Sequence, residues 1–138
     1  MFKTVTLLKR KAGMSMAEFI DYYETSHARI GEKYLAAGAI RYARYFLHPA
    51  ENPVESADSG APDDKPYDVV TEIWFPDRAA FEQTMARLGE PGPAAEISAD
   101  EERLFDRARN RFFVVEEHVS DLAAARRESG GSESLAGV

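Results

Sequence analysis

The chain has 138 residues and a mass of 15.4 kDa, the size of one domain, and its net charge of -7 with a pI near 5.0 disfavours nucleic-acid and anionic-membrane partners. The absence of cysteine excludes disulfides, zinc-thiolate sites, iron-sulfur clusters and a thiol nucleophile. No apolar run approaches the roughly 18 residues of a membrane span, so we expect a cytoplasmic protein. The negative charge leaves a small neutral or amphipathic ligand open.

The N-terminal segment predicts a strand followed by a helix. Side chains alternate over residues 2–9, which is typical of a strand, and Gly13 breaks the pattern. Ser15 and Glu18 then form a capping box, in which each side chain bonds a free backbone amide at a helix start. We therefore expect a helix to begin near Met16.

The first helix carries an apolar stripe that leads to a histidine. Phe19, Tyr22 and Tyr23 recur at helical spacing, and a second helical stretch follows His27 and runs to Gly38. Because His27 comes four residues after Tyr23, we expect the two side chains to share the inner face of the helix.

The rest of the domain predicts three more strands, which are rich in β-branched and aromatic residues. They are residues 39–48, 67–75 and 111–118. A helix is expected from the Asp77 cap to Gly89. Residues 90–96 are expected to connect it to a short helix, which starts at a second capping box over residues 98–101 and runs through Phe105.

Two segments lack the periodicity of a packed element. Residues 50–66 are dense in proline, alanine, serine and acids, and predict a long solvated loop inserted in a domain that spans residues 1–120. Residues 121–138 are rich in glycine and serine towards their end, and predict a flexible C-terminal tail that is expected to start with a helical turn.

The element order βαββαβ, with one short extra helix, predicts an α+β fold: a ferredoxin-like antiparallel sheet with helices on one face. The strands nevertheless carry apolar side chains on both faces. In the last strand, Phe112 and Val114 point to one face, and Phe113 and Val115 point to the other. Two such sheets packed face to face would hide the second set, so we predict a homodimer with twofold symmetry.

Several ordered motifs resemble the EthD family, whose members are dimeric α+β barrel proteins. They are LLKRKAGMSMAEFIDYYETSHARI, IRYARYFLH, YDVVTEIWF and ISADEERLFDRARNRFFVVEEH, which lie within residues 2–118. The most telling family motif is an aromatic-rich helix followed by histidine and alanine. The residues that match it are Phe19, Tyr22, Tyr23, His27 and Ala28. Arg29 stands where proline is common.

The resemblance implies a range of activities rather than one. The family takes its name from a protein required alongside a cytochrome P450 system for ether degradation. Fungal relatives resemble decarboxylases or dehydratases that act on polyketide-derived aromatic rings. Barrels of the same type include muconolactone isomerases, aromatic polyketide cyclases, monooxygenases of antibiotic biosynthesis and haem-degrading enzymes. Fold alone does not choose among them.

His27 is the main candidate for catalysis. In such barrels the end of the first helix points into a cleft between helices and sheet, and an imidazole with an ordinary pKa of about 6.5 can take or give a proton there. Tyr22 or Tyr23 is expected to orient the imidazole or to donate to a developing enolate oxygen. Candidates for the carboxylate partner are Asp21, Glu24 and Asp106. The simpler alternative is a structural histidine that caps carbonyl groups at a helix junction.

An aromatic wall is expected to bind a flat substrate beside His27. Its candidate residues are Trp74, Tyr42, Phe46, Phe105 and Phe113. Arg29 is a further candidate for substrate binding. His48 and His118 are interpreted as structural, as caps or as partners of acids such as Glu116. The spacing of the three histidines matches no local metal-ligand motif, and we expect neither a metal nor another cofactor.

The leading hypothesis is a cofactor-independent lyase, isomerase or cyclase that acts on a small aromatic or polyketide-like molecule by proton transfer through His27. The alternative is a non-catalytic accessory protein that binds a hydrophobic metabolite or serves a partner oxygenase in aromatic or ether degradation. A third hypothesis is a cofactor-free or haem-linked monooxygenase.

Overall fold

The computed structural model describes residues 1–50 and 65–130. Residues 51–64, which make up most of the predicted loop, and residues 131–138, which end the predicted tail, lie outside the described residues. Within the described ranges, no helix is long and apolar enough to cross a membrane.

Four strands of the described chain form one antiparallel sheet. They are β1 (Phe2–Leu8), β2 (Arg41–Phe46), β3 (Val69–Phe75) and β4 (Arg111–Val115). Their order in the sheet is β2-β3-β1-β4, and every neighbouring pair is antiparallel. This is the predicted ferredoxin-like arrangement, in which β1 and β3 occupy the centre of the sheet.

The helices of the described chain connect these strands and follow the last of them. They are α1 (Met16–Tyr22), α2 (Ala28–Leu35), α3 (Arg78–Leu88), α4 (Pro91–Leu104) and α5 (Leu122–Glu128). A π-helical turn, Tyr23–His27, joins α1 to α2, and a 3-10 turn, Arg107–Arg109, precedes β4. The predicted tail therefore begins with α5, whose side chains are mostly exposed.

The capping residues confirm two of the predicted helix starts. The Glu18 amide donates to the Ser15 hydroxyl at 3.1 Å, and the Ser15 amide donates to the Glu18 carboxylate at 3.3 Å. Asp77 caps α3 in the same way, since its carboxylate accepts from the Ala80 amide at 2.8 Å. Both caps satisfy amides that have no partner within their own helix.

The prediction for residues 90–96 and 98–101 was wrong. α4 begins at Pro91, so the expected connector is its first part, and Ser98 lies inside the helix rather than at its cap. Pro91 and Pro93 fall in the first turn, where the missing backbone N–H costs no helical hydrogen bond. Proline in this position starts the helix instead of preventing it.

The sheet has one face covered by helices and one face open. Thr4, Thr71 and Phe75 are buried and point towards the helices, where Phe19 and Leu104 are also fully buried. The alternate positions point the other way and include large apolar and aromatic groups. The open face carries Val5 and Leu7 of β1, Tyr45 of β2, Val70 and Trp74 of β3, and Phe113 and Val115 of β4.

Candidate active site

The π-helical turn between α1 and α2 carries two side chains, Ser26 and His27, that contact α4. The Ala28 amide donates to the Tyr23 carbonyl, five residues back, so this turn holds one residue more than an α-helical turn. Within it, the Thr25 hydroxyl donates to the Asp21 carbonyl at 2.7 Å and satisfies an acceptor that an α-helix would bond through an amide. Wide turns of this kind occur frequently at functional sites.

The Asp100 carboxylate of α4 accepts hydrogen bonds from three side chains of this region. Its Oδ1 accepts from the Tyr22 hydroxyl at 2.7 Å and from the Ser26 hydroxyl at 2.8 Å. Its Oδ2 lies 3.0 Å from His27 Nδ1. Since a carboxylate only accepts, His27 carries its proton on Nδ1, and Nε2 is left as the basic nitrogen of the neutral ring. Asp100 is buried, which keeps this arrangement away from water.

The carboxylate partner of His27 is therefore not one of the three predicted candidates. Glu24 pairs with Arg44, with 2.5 Å between Oε1 and Nη2, and this hydrogen bond holds the pKa of Glu24 below its ordinary value. Asp106 lies 3.8 Å from Arg109. The prediction missed Asp100 as the partner because it assigned residues 98–101 to the start of a helix, whereas they lie inside α4.

His27 lines a cavity of about 160 Å³ between the helices and the covered face of the sheet. Strands and helices both contribute to its apolar lining, which consists of Leu8, Ile30, Leu35, Ile73, Leu88, Ile97 and Phe105. Its polar lining consists of Thr6, Tyr23, His27, Tyr42, Thr71 and Glu101. A mainly apolar cavity with a few convergent polar groups is the usual form of a small-molecule site.

Two tyrosines supply hydroxyl groups to this cavity. The Tyr23 hydroxyl lies 2.6 Å from Thr71 Oγ1, and burial raises the pKa of Tyr23 well above its ordinary value of 10.0. Burial also raises the pKa of Tyr42. Both phenols therefore keep their protons at neutral pH and remain able to donate hydrogen bonds. The Tyr42 ring packs so closely on Gly31 that a Cβ atom there would lie 2.8 Å from its hydroxyl oxygen.

Four of the predicted site residues meet in this cavity. They are Tyr23, His27, Tyr42 and Phe105. The His27 ring lies edge-on to Tyr23 and Phe105, with centroid distances of 5.1 and 5.2 Å. The predicted proximity of His27 and Tyr23 on the inner helix face is thus present, and two aromatic rings hold the imidazole in place.

The other predicted site residues lie elsewhere. Tyr22 holds Asp100, and Phe46 packs edge-on against Phe19 and Tyr23 in the core. Arg29 is exposed and pairs with Glu32. Trp74 and Phe113 belong to the open face of the sheet, where Lys3 lies 3.7 Å above the Trp74 ring. These two aromatics cannot contact a molecule in the His27 cavity, because the sheet separates them from it.

The two remaining histidines are at the surface. His118 Nε2 lies 2.7 Å from Glu116 Oε2, as its structural interpretation predicts, and His48 is exposed. In the part of the chain that the structure describes, no group of three or more histidine, cysteine, aspartate or glutamate side chains is arranged to hold a metal ion.

Solved structures with the same fold come from several organisms. An EthD family protein of Bacillus halodurans has a TM-score of 0.56 and 15% identity, over 86% of this chain and all of that one. SnoaB of Streptomyces nogalater, a cofactor-independent oxygenase, has a TM-score of 0.51 and 16% identity, over 86% of this chain and 94% of that one. A dimeric ferredoxin-like protein from an uncultured marine organism has a TM-score of 0.51 and 16% identity, over 86% and 97%.

These likenesses establish the fold alone. Their identities are too low to imply a shared activity. A comparison with curated proteins finds no match. The sequence itself matches the family model of the EthD domain over residues 11–108, which include the π-helical turn, His27 and Asp100. This match spans more than half of the chain, and the protein belongs to the EthD domain family.

Proposed function

We propose that the protein is a cofactor-independent lyase, isomerase or cyclase that moves protons on a small aromatic or polyketide-like molecule, with His27 as general acid and base. The observation that carries the proposal is the His27–Asp100 pair at the cavity, with 3.0 Å between Nδ1 and Oδ2. A buried carboxylate fixes the ring and stabilises the imidazolium that forms when Nε2 takes a proton.

The chemistry requires only the groups of this chain. Nε2 of His27 takes a proton from a carbon next to a carbonyl group, and the C–H electrons move to the carbonyl oxygen to give an enolate. The protonated tyrosine hydroxyls of the cavity are donors for that oxygen. His27 then returns the proton to a different carbon in an isomerisation, or to a leaving hydroxyl in a dehydration. In a decarboxylation, carbon dioxide leaves first and His27 protonates the resulting enolate carbon.

Hydrogen exchange on model ketones tests this proposal without knowledge of the natural substrate. The protein is incubated in D₂O with cyclohexanone and 1-tetralone, and deuterium at the α-carbon is followed by NMR. We expect saturable exchange that falls by about 100-fold or more in His27→Gln, the range of general acid and base catalysis. His48→Gln and His118→Gln are matched controls and should exchange at the wild-type rate.

The same assay separates the alternatives. Binding of a ketone without exchange would favour the non-catalytic accessory role, and exchange that persists in His27→Gln would remove His27 from the mechanism. Cofactor-independent oxygenation is the second candidate, because SnoaB, which shares the fold, is described as such an oxygenase. It predicts consumption of dissolved oxygen with electron-rich phenols such as hydroquinone, in excess of the rate without protein.

We also propose that the protein is a homodimer in which two open sheet faces pack together. Phe113 is 48% exposed and Tyr45 is 42% exposed on that face, and large exposed apolar patches usually mark an interface. The dimeric ferredoxin-like protein of similar fold supports this assembly. Sedimentation equilibrium should give twice the chain mass of 15.4 kDa, and Phe113→Glu should give the monomer. Val119→Glu, at an exposed position outside the sheet, is the control.

A further inference from the structure

Two consecutive acids of α4 have different surroundings at the His27 cavity. Asp100 is fully engaged by Tyr22, Ser26 and His27. Glu101 lines the cavity, and its carboxylate makes no hydrogen bond or ion pair to any side chain in residues 1–50 and 65–130. A half-buried carboxylate without a protein donor keeps its acceptor capacity for a molecule that enters the cavity.

The charges around the cavity are predominantly negative. Among the described residues, the lining contains no lysine or arginine, and its one carboxylate is Glu101. The Asp100 carboxylate lies directly behind His27. The nearby Arg44 guanidinium lies 4.8 Å from the Tyr42 ring and is paired with Glu24. An anionic ligand would therefore meet the Glu101 carboxylate without a lysine or arginine in the described lining to offset it. Like charges brought together away from water oppose binding and give a site its selectivity.

The size and the hydroxyl groups of the cavity specify the rest of the ligand. A space of about 160 Å³ is close to that of an engineered apolar cavity that holds one benzene ring. Phe105, Ile30 and Ile73 supply apolar contacts for such a ring. Tyr42 keeps its proton and can donate to a ligand oxygen, while Glu101 can accept from a ligand hydroxyl.

We propose that Glu101 is a specificity-determining residue, through which the cavity accepts neutral one-ring molecules that carry a hydroxyl group and rejects ring carboxylates. The inference rests on the proposed function only in placing the ligand in the His27 cavity. It narrows the substrate class to uncharged phenols, enols and hydroxyketones of about one ring, and it retains isomerisation, dehydration and cyclisation, but not decarboxylation, among the proposed reactions. Aromatic acids of the same size are excluded by charge rather than by shape.

The test compares three probes that share one ring and differ in charge. Dissociation constants of phenol, benzoate and benzylamine are measured at pH 7.5 by ligand-observed NMR, with wild-type protein, Glu101→Gln and Glu102→Gln. Glu102 is a matched control, because it is the next residue on α4 but is exposed and pairs with Arg107 at 2.8 Å. Gln keeps the size of Glu and removes its charge, so no variant alters the packing of the core.

We expect wild-type protein to bind phenol about tenfold or more tightly than benzoate, a difference of ~1.4 kcal/mol. Glu101→Gln should reduce this preference to about threefold or less, mainly through tighter benzoate binding, since a like charge has been removed. Glu102→Gln should keep the wild-type preference. Equal affinities for phenol and benzoate, a preference unchanged in Glu101→Gln, absence of phenol binding, or tightest binding of benzylamine would each overturn the proposal.

The location of the probe and the role of His27 are checked separately. Bound phenol should show intermolecular NOEs to the Ile97 methyl groups and the Phe105 ring, and NOEs to the open sheet face instead would overturn the proposal. The measurement involves no turnover, so its outcome does not depend on the result of the exchange assay. A failed exchange assay with a retained preference would refute proton transfer by His27 and leave the role of Glu101 standing.

Discussion

His27 and Asp100, 73 positions apart in the chain, form a histidine–carboxylate pair with 3.0 Å between Nδ1 and Oδ2. The same carboxylate holds the Tyr22 and Ser26 hydroxyls, so both side chains of the pair are fixed before a ligand enters. A residue that merely caps a helix needs no buried carboxylate of this kind. The pair is therefore the feature of His27 on which the catalytic proposal depends.

Asp100→Asn should change the tautomer of His27. Asparagine is uncharged and can turn its NH₂ group towards Nδ1, which would move the imidazole proton to Nε2 and remove the base from the cavity side. We expect α-hydrogen exchange to fall by at least about tenfold. Two-dimensional ¹⁵N NMR of the imidazole should show Nδ1–H in wild-type protein and Nε2–H in the variant.

Tyr22→Phe provides the control for that experiment. It removes one donor to Asp100 but keeps the carboxylate and its contact with His27, so the Nδ1–H tautomer should remain. An Asp100→Asn protein with an unchanged tautomer and an unchanged exchange rate would show that Asp100 does not control His27.

Gly31→Ala should alter the cavity, whereas the same change at another helical glycine should not. A Cβ at position 31 would lie 2.9 Å from Tyr42 Cε2, so the Tyr42 ring must move and helix stability should not increase. We expect a loss of about 1–2 kcal/mol in the free energy of unfolding and weaker phenol binding.

Gly92→Ala is the matched comparison, because a Cβ there meets no atom within 4 Å. Removing the flexibility of glycine should raise the free energy of unfolding by up to about 1 kcal/mol and leave phenol binding unchanged. Urea unfolding measures both variants, and a stabilised Gly31→Ala protein with wild-type binding would contradict the close Tyr42 contact.

Phe19→Ala should be strongly destabilising. Its side chain is fully buried and packs edge-on against Tyr23, Phe46 and Phe105. Removing the ring leaves a cavity beside the candidate site, and we expect a loss of about 3–5 kcal/mol in the free energy of unfolding. Leu122→Ala, at a site that is 63% exposed, should change it by less than about 0.5 kcal/mol. Similar losses for both variants would contradict the core described above.

Alkaline pH should destabilise the protein through its buried phenols. Burial raises the pKa of Tyr23 and Tyr42 in the folded state above the ordinary 10.0, so the unfolded chain loses these protons first. The stability of the folded protein is therefore unaffected by these groups below the tyrosine pKa of the unfolded chain. It decreases as the pH rises through that pKa towards the higher pKa of the folded protein.

The midpoint temperature of thermal unfolding should accordingly decrease as the pH is raised from about 9 to about 11. The decrease should be smaller in Tyr42→Phe, which has one buried phenol fewer. Tyrosinate absorbance should show these two residues ionising later than free tyrosine. Full ionisation of all six tyrosines at the ordinary pKa in folded protein would contradict the burial of Tyr23 and Tyr42.

Local signals in the sequence were sufficient for most of the fold. The capping residues Ser15 and Asp77 depend on short-range hydrogen bonds, so they could be identified from a few neighbouring residues. The start of α4 could not be identified in this way, because Pro91 is compatible with both a connector and a first helical turn.

The site was predicted less completely because its residues come from distant elements. His27, Tyr23, Tyr42 and Phe105 were correctly expected to lie near one another. Trp74 was not distinguishable from them, since aromatic character does not reveal which face of a two-sided sheet a side chain occupies. Asp100 and Glu101 acquire their positions only from the packing of α4 against α1 and the π-helical turn, which no local pattern encodes.

The wide turn at Tyr23–His27 also makes the candidate site sensitive to chain length. Deletion of one residue, such as Thr25, would remove the extra residue of the turn and let α1 and α2 merge into a single regular helix, which changes the side-chain directions within the turn. The contacts of Ser26 and His27 with Asp100 depend on those directions. Within this family, a homologue that keeps the histidine but lacks one residue before it is therefore expected to have lost the paired carboxylate. Alignments that treat such a gap as neutral would overestimate how many relatives share the histidine–carboxylate pair.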